Sequence, residues 1–530
     1  MTEVIRTQTP PILHGPSDKE KKYDRQLRLW AASGQQALEE AHILLVNSGS
    51  GTVGVETLKN LVLPGIGKFT IADKAIVEEA DLGVNFFLDE ESLGKPRSEA
   101  CVKLLQELNP DVKGDWYQLD KVRPLQTLLD QQKFTLLMYS LPIEPETLLT
   151  IQNYANENKL PLFSIHSAGF YSAFRIHLPG SIPIVDTHPE STTTPDLRLR
   201  TPWKELSDFA AEITADIDNQ EAREHGHIPY VALILHYLIE WKETHGSIPS
   251  EYGEKKAFAK FLAAKARTNN PEGGEENFDE GVASVLKLLL EPKLEASVKE
   301  IFDHEPNDLE AKSSFWIIAD AVKKFYEKHK ALPLPGSVPD MKAQSNVYVK
   351  LQNIYKAKAR EDVAEVLESV RAHPHGKDIP TTEVEIFCKN AAFIKLINGA
   401  GSKTSDIVNI ADEEFKSDQM AADNPEFGMR FSLLPIYLAL NATCYSASAT
   451  SSEILTTINK IVPEASSNPR LVQAAEEVAR AKGGELHNIS SLTGGMVAQE
   501  IIKIITKQYI PIDNTCIYDG ITSRTQIFKI

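Results

Sequence analysis

Of the chain's 530 residues, 42% are hydrophobic and 25% charged, with 74 acids against 56 bases and a formal net charge of -18. Such a chain has material for about three or four domains with buried cores, and its acidic balance argues against broad affinity for nucleic acid, which needs a positive face to neutralise phosphates. No stretch approaches the roughly 18 consecutive apolar residues of a membrane helix, so no membrane span is expected.

Residues 1–20 lack the basic start, apolar centre and small-residue cleavage site of a secretory signal and read as a flexible N-terminal arm. A basic segment follows, KYDRQLRLW from Lys22 to Trp30, in which Arg28 lies about one helical turn beyond Arg25. An apolar strand, Ile43 to Val46, then runs into Gly49, Gly51 and Gly54 and on into a helical pattern through Val55, Leu58 and Leu61, and a second strand from Lys68 to Ala72 ends at Asp73. Glycines so placed permit a tight strand-to-helix turn and close backbone approach. The helix N-terminus favours an anionic phosphate, and an acid about 20 positions on can hold a ribose. Taken alone, the same residues also fit a loop that only closes a turn.

Further strands are predicted at Thr135–Tyr139, Leu162–Ile165 and Ala173–Leu178, with helices between, the alternation that a mostly parallel sheet requires. The helix Glu99 to Leu108 places Cys101, Leu104, Leu105 and Leu108 on one stripe before Asn109-Pro110 stops it, which makes Cys101 a core residue. After Pro179-Gly180 the texture changes to amphipathic helices, predicted at Ile228–Trp241, Val282–Leu290 and Ser314–Tyr326, and TNNPEGGEE from Thr268 to Glu276 reads as an exposed, mobile turn. Helices at Phe431–Leu440 and Gly494–Ile505 and strands at Thr515–Tyr518 and Thr525–Phe528 close the pattern.

The four cysteines, Cys101, Cys388, Cys444 and Cys516, are too few and too scattered for a disulfide framework, and a reducing compartment, cytosol or nucleus, is expected. His225 with His227 and His373 with His375 supply two potential ligands each, which do not make a zinc site, so no metal is expected.

The order Tyr-Asp-Arg-Gln, glycine loop, LKNLVLPGIG and Asp73 resembles the ThiF/MoeB and ubiquitin-activating enzyme superfamily, in which the loop receives ATP and the domain adenylates the C-terminal carboxylate of a ubiquitin-like protein. LPLPGSVPDMKAQSNVYVKLQNIYKAKA, Leu332 to Ala359, and GGMVAQEIIKIITKQ, Gly494 to Gln508, are similar to the regulatory subunits of neddylation activating enzymes, and the resemblance covers essentially the whole chain. It implies an α/β, Rossmann-like adenylation domain of ThiF/MoeB type that is discontinuous. Its first part would lie at 21–180 and its return segment at 426–530. A large, mainly α-helical insertion at 181–425 would stand where active relatives carry their catalytic-cysteine domain.

Active members of that superfamily follow the ribose acid with an Asn-Arg-Gln run, a lysine on the next helix and an aspartate at a strand end. This chain keeps Asp73 but has Gly83, Val84 and Asn85 in place of the run, Arg97 at the lysine position with Lys95 two residues early, and Ser140-Leu141-Pro142 without an aspartate. Such losses remove phosphate charge compensation and a metal ligand, and each costs orders of magnitude in rate. No cysteine stands in the Cys-Thr context of the thioester nucleophile. Gly49, Gly51, Gly54 and Asp73 are therefore expected to be vestigial for a cofactor, with nucleotide binding without turnover left open.

The resemblance gives Arg25 the remaining role, an arginine finger reaching in trans to ATP in a partner subunit, a task suited to a planar, permanently charged fork. Implied partners are a catalytic subunit holding ATP and Mg, the modifier Nedd-eight/Rub, and a conjugating enzyme met through the complex. Three alternatives remain: a SUMO-class regulatory subunit, whose insertion is shorter; a self-sufficient homodimeric adenylyltransferase, disfavoured by the missing Asn-Arg-Gln run; and a NAD-type Rossmann binding protein, for which the glycine loop and Asp73 would suffice.

Overall fold

The computed structural model describes residues 17–189, 196–268, 274–291, 293–308, 310–397 and 407–530. Most of the N-terminal arm expected at 1–20 and the middle of the turn expected at 268–276 lie outside the described residues. The chain divides into two units, Met1–Ile184 with Ile397–Ile530, and Val185–Leu396.

The described strands are β1 (His42–Asn47), β2 (Lys68–Asp73), β3 (Lys113–Gln118), β4 (Leu136–Leu141), β5 (Leu162–Ala168), β6 (Tyr171–His177), β7 (Ile182–Val185), β8 (Ile394–Ile397), β9 (Thr515–Asp519) and β10 (Arg524–Phe528). Eight of them form the sheet of the first unit in the order β10-β9-β6-β5-β4-β1-β2-β3. β3, β2, β1, β4 and β5 run parallel, and β6, β9 and β10 add antiparallel neighbours. β1 is apolar along its length because both of its faces are covered, as in most parallel sheets. Alternation sends Ile43 and Leu45 into a cluster with Val55, Leu58, Val497 and Ile501, and Leu44 and Val46 into another with Leu128, Leu137 and Ile151.

On the first of those faces the helices Thr52–Val62 and His487–Thr506 touch backbone to backbone. A Cβ built on Gly494 would stand 2.8 Å from the Glu56 carbonyl carbon and the Thr57 nitrogen, so a glycine is required there. The strand order reverses between β1 and β4, and their carboxyl ends open the crevice where sheets of this kind bind ligands.

The second unit is helical around two clusters. Phe209, Trp241, Phe258, Phe278 and Tyr355 belong to one, and Ile318, Val322, Val366, Val370 and Phe387 to the other. The helix Ser345–Ala372 serves both, giving Leu351 and Tyr355 to the first and Val366 and Val370 to the second.

Several expectations are revised. β3, with its half-exposed sequence KGDWYQ at the sheet edge, has no long apolar run to announce it. Leu108, expected on the buried stripe, is 42% exposed, while Cys101 is buried. The helix Ile407–Asp423, which falls within the span expected for the insertion, packs with the first unit, its Ala411 lying among Ala168, Tyr171 and Leu434, while residues 398–406 lie outside the described residues. Glu275, expected in an exposed turn, is buried, with its Oε1 2.7 Å from Nδ1 of a buried His225.

Candidate functional site

Arg25 sits near the start of the helix Asp24–Glu40, between two buried anchors seven residues apart, about two helical turns. The first is Tyr23, whose hydroxyl accepts a 3.0 Å hydrogen bond from Asn109 Nδ2. Gly65, at φ +86°, leaves room for this ring: an added Cβ would lie 2.7 Å from the Tyr23 hydroxyl. Lys22 ties the same corner to Asn109 Oδ1 and Asp111 Oδ2, each at 2.6 Å.

The second anchor is Trp30, whose Nε1 donates to Gln35 Oε1 at 3.2 Å and whose carbonyl accepts from Gln508 Nε2 at 2.8 Å. There the helix breaks, with Ala31 at φ 55° and ψ -177°, a conformation that costs a non-glycine residue about 1–3 kcal/mol. The segment bearing Arg25 is thus fixed at both ends. The Arg25 side chain is exposed and makes no hydrogen bond or ion pair among the described residues, whereas Arg28 pairs with Asp24 at 2.9 Å.

The glycine loop leaves β1 as expected, with Gly49 at φ +61° and Gly51 at φ +67° feeding the helix Thr52–Val62. The groups a nucleotide would use are engaged within the chain. Asp73, fully buried, accepts on Oδ2 from Arg97 Nε at 2.7 Å and from Asn47 Nδ2 at 3.0 Å, and on Oδ1 from the Ala75 N–H at 2.8 Å. Arg97, only 3% exposed, continues through Nη1 to the carbonyls of Gly49 and Ser50, both at 2.9 Å, and to Asp81 Oδ1 at 3.3 Å. Arg97 thus faces inward and clamps the glycine loop to Asp73.

At the other side of the loop stands Glu485, a residue that sequence reasoning missed. It is buried at 4% exposure, and its Oε2 accepts the Val53 N–H at 2.8 Å and the Ser490 hydroxyl at 2.5 Å. These bonds put a carboxylate on the N-terminal turn of the glycine-loop helix, where anions bind. Burial pushes the Glu485 carboxyl up to about 7, against the pull of Ser490, the Val53 N–H and the charge of Arg97. Ser50 Oγ also reaches the Gly483 carbonyl at 3.1 Å. The signal in the sequence was Gly483-Gly484-Glu485 directly before a helix, a flexible acid with a hydroxyl five residues on.

The altered positions have structural partners. The Val84 carbonyl meets His487 Nδ1 at 3.2 Å, and the His487 ring stacks on Phe86 at 3.6 Å between centroids. Asn85 donates to Cys101 Sγ at 3.5 Å and accepts from the Phe87 N–H at 3.0 Å. Ser140, where active relatives carry the aspartate, stitches β4 to β1: it accepts the Ser48 N–H at 2.7 Å, and its hydroxyl lies 3.1 Å from Asn47 Oδ1 and 3.0 Å from the Ser48 carbonyl.

Burial pushes the thiols of Cys101 and Cys388 up to about 12 and that of Cys516 to about 11, and raises Cys444, all against thiolate formation. Among the described residues no group of three or more His, Cys, Asp or Glu is placed to hold a metal ion.

A sequence profile of the ThiF family matches residues 23–530. The chain is 35% identical to a NEDD8-activating enzyme E1 regulatory subunit of Xenopus laevis, over 97% of this chain and 99% of that protein. It is 33% identical to the protein of that description from Danio rerio, with the same coverage, and 25% identical to one from Saccharomyces cerevisiae, over 96% of this chain and 100% of that protein. The chain belongs to the ThiF family, among the NEDD8-activating enzyme E1 regulatory subunits. The match spans both the sheet-bearing unit and the helical one, and so includes Arg25, the glycine loop and Glu485.

Proposed function

We propose that the chain is the non-catalytic half of a heterodimer that activates NEDD8, and that it works by holding a catalytic subunit and lending it Arg25. ATP and magnesium would sit in that partner, which would also supply the thioester cysteine, and a conjugating enzyme would be met through the complex. The observation that carries this reading is the contrast between two arginines. Arg97 is buried and consumed by Asp73 and the loop carbonyls, while Arg25 is exposed and unpaired among the described residues, on a segment anchored by Tyr23 and Trp30. An unpaired guanidinium on a rigid support suits charge that develops on another subunit's phosphates, because little ordering remains to be done when the subunits meet.

The test is ATP–pyrophosphate exchange that depends on the modifier, measured for this chain, for the catalytic subunit and for their mixture. Exchange confined to the mixture, or strongly enhanced in it, is expected. Exchange by this chain alone would make its altered pocket an active site.

A further inference from the structure

We propose that Glu485 is a built-in ligand of the glycine loop: its carboxylate occupies the phosphate position at the start of the helix Thr52–Val62, and its removal leaves a vacant anion site that accepts pyrophosphate. Three observations carry this. The loop retains the backbone form of an anion cradle, with Gly49 and Gly51 at positive φ and the N-terminal turn of an eleven-residue helix directed at its opening. The place is filled by a carboxylate that is itself buried and bonded to the Val53 N–H and the Ser490 hydroxyl. At the same turn Thr52 Oγ1 is buried without a hydrogen-bond partner, a polar atom that the carboxylate leaves unserved.

The occupant comes from far along the chain. Val53 and Glu485 are separated by 432 residues, and the segment that carries Glu485 is held by further contacts at both ends. Ser50 Oγ reaches the Gly483 carbonyl at 3.1 Å, the Gly169 N–H donates to the Gly484 carbonyl at 2.9 Å, and His487 meets Val84. A phosphate could enter only by displacing the Glu485 carboxyl and the chain that holds it. Arg97 is not free to hold a phosphate there, since it spends its guanidinium on Asp73 and the loop carbonyls.

Equilibrium dialysis of the full chain against labelled inorganic pyrophosphate tests the assignment. Glu485→Ala is expected to take up pyrophosphate at one saturable site, competed by inorganic phosphate, with an affinity about tenfold or more above that of the unsubstituted chain. Ser490→Ala, which loosens the carboxylate and leaves the loop untouched, is expected to fall between the two, and it decides the matter if Glu485→Ala does not fold by circular dichroism. Equal uptake by the unsubstituted chain and Glu485→Ala overturns the proposal. So does a folded Glu485→Ala that takes up none, or, where that variant is unfolded, a Ser490→Ala chain indistinguishable from the unsubstituted one.

Discussion

Arg97 and Asp73 form a buried ion pair, Nε to Oδ2 2.7 Å, with the two side chains 3% and 0% exposed. Removing one partner of such a pair leaves an uncompensated charge in a poorly solvated place, which costs about 3–5 kcal/mol. Arg97→Met is therefore expected to lower the urea midpoint of the full chain by that equivalent at an unchanged slope. Arg97→Lys should recover only part of it, because one ammonium cannot span Asp73 and the carbonyls of Gly49 and Ser50 together.

Arg25→Ala is expected to leave stability and complex formation unchanged, since the side chain is exposed and unpaired among the described residues. The same change should reduce pyrophosphate exchange in the reconstituted complex by about 10³-fold, as the loss of an arginine finger does. Arg28→Ala, which breaks only a surface pair with Asp24, should stay within about twofold, consistent with the small worth of such pairs.

Glu485 gives stability a pH dependence with a definite sign. Its folded-state value of about 7 lies above its ordinary 4.5, so the folded chain holds this proton more tightly than the unfolded one. The resulting stabilisation is complete below about 4.5 and is lost as the pH rises through about 7, amounting to about 3 kcal/mol over that window. Glu485→Gln should remove that part of the decline. Urea midpoints from pH 4.5 to 8 that run parallel for the two proteins would show that the carboxyl is not buried as described.

Gly494→Val is expected to destabilise by about 1–3 kcal/mol or more, because the added atoms meet backbone of the facing helix and not a side chain that could swing away. Gly495→Ala, one position on, has nothing within 4 Å of its Cβ and should be neutral or slightly stabilising, since alanine favours the helix. Thermal melting of the two variants makes the comparison.

The central sheet was legible because its chemistry is redundant along the chain. Ile43 to Val46 is an unbroken apolar run that leads into a glycine loop, and the strands ending at Asp73 and Tyr139 are apolar runs of the same kind. The glycine loop, Asp73 and Arg97 were legible by position, yet their partners were not. Nothing in GKPRSE says whether Arg97 points to solvent or to Asp73, and that orientation depends on a strand 24 residues earlier. Gly483-Gly484-Glu485 marks an acid before a helix but not its target, because the partner of Glu485 is a backbone N–H 432 residues away, and a backbone group carries no sequence signature. The edge strand β3 and the packing of the helix Ile407–Asp423 were hidden by contacts between distant segments, against which local pattern is silent.

The distance between Val53 and Glu485 also has a consequence for how the chain is made. Synthesis delivers the sheet strands β1 to β6 and the glycine-loop helix long before residues 483–490, so the nascent first half carries an uncapped helix start and a crevice open at the carboxyl ends of β1 and β4. Domains assembled from such remote segments close late. Until the Gly483–His487 strap arrives, the growing chain holds an anion-receptive turn with no resident carboxyl, and the helix His487–Thr506, which meets the glycine-loop helix at Gly494, closes the site before β9 and β10 finish the sheet.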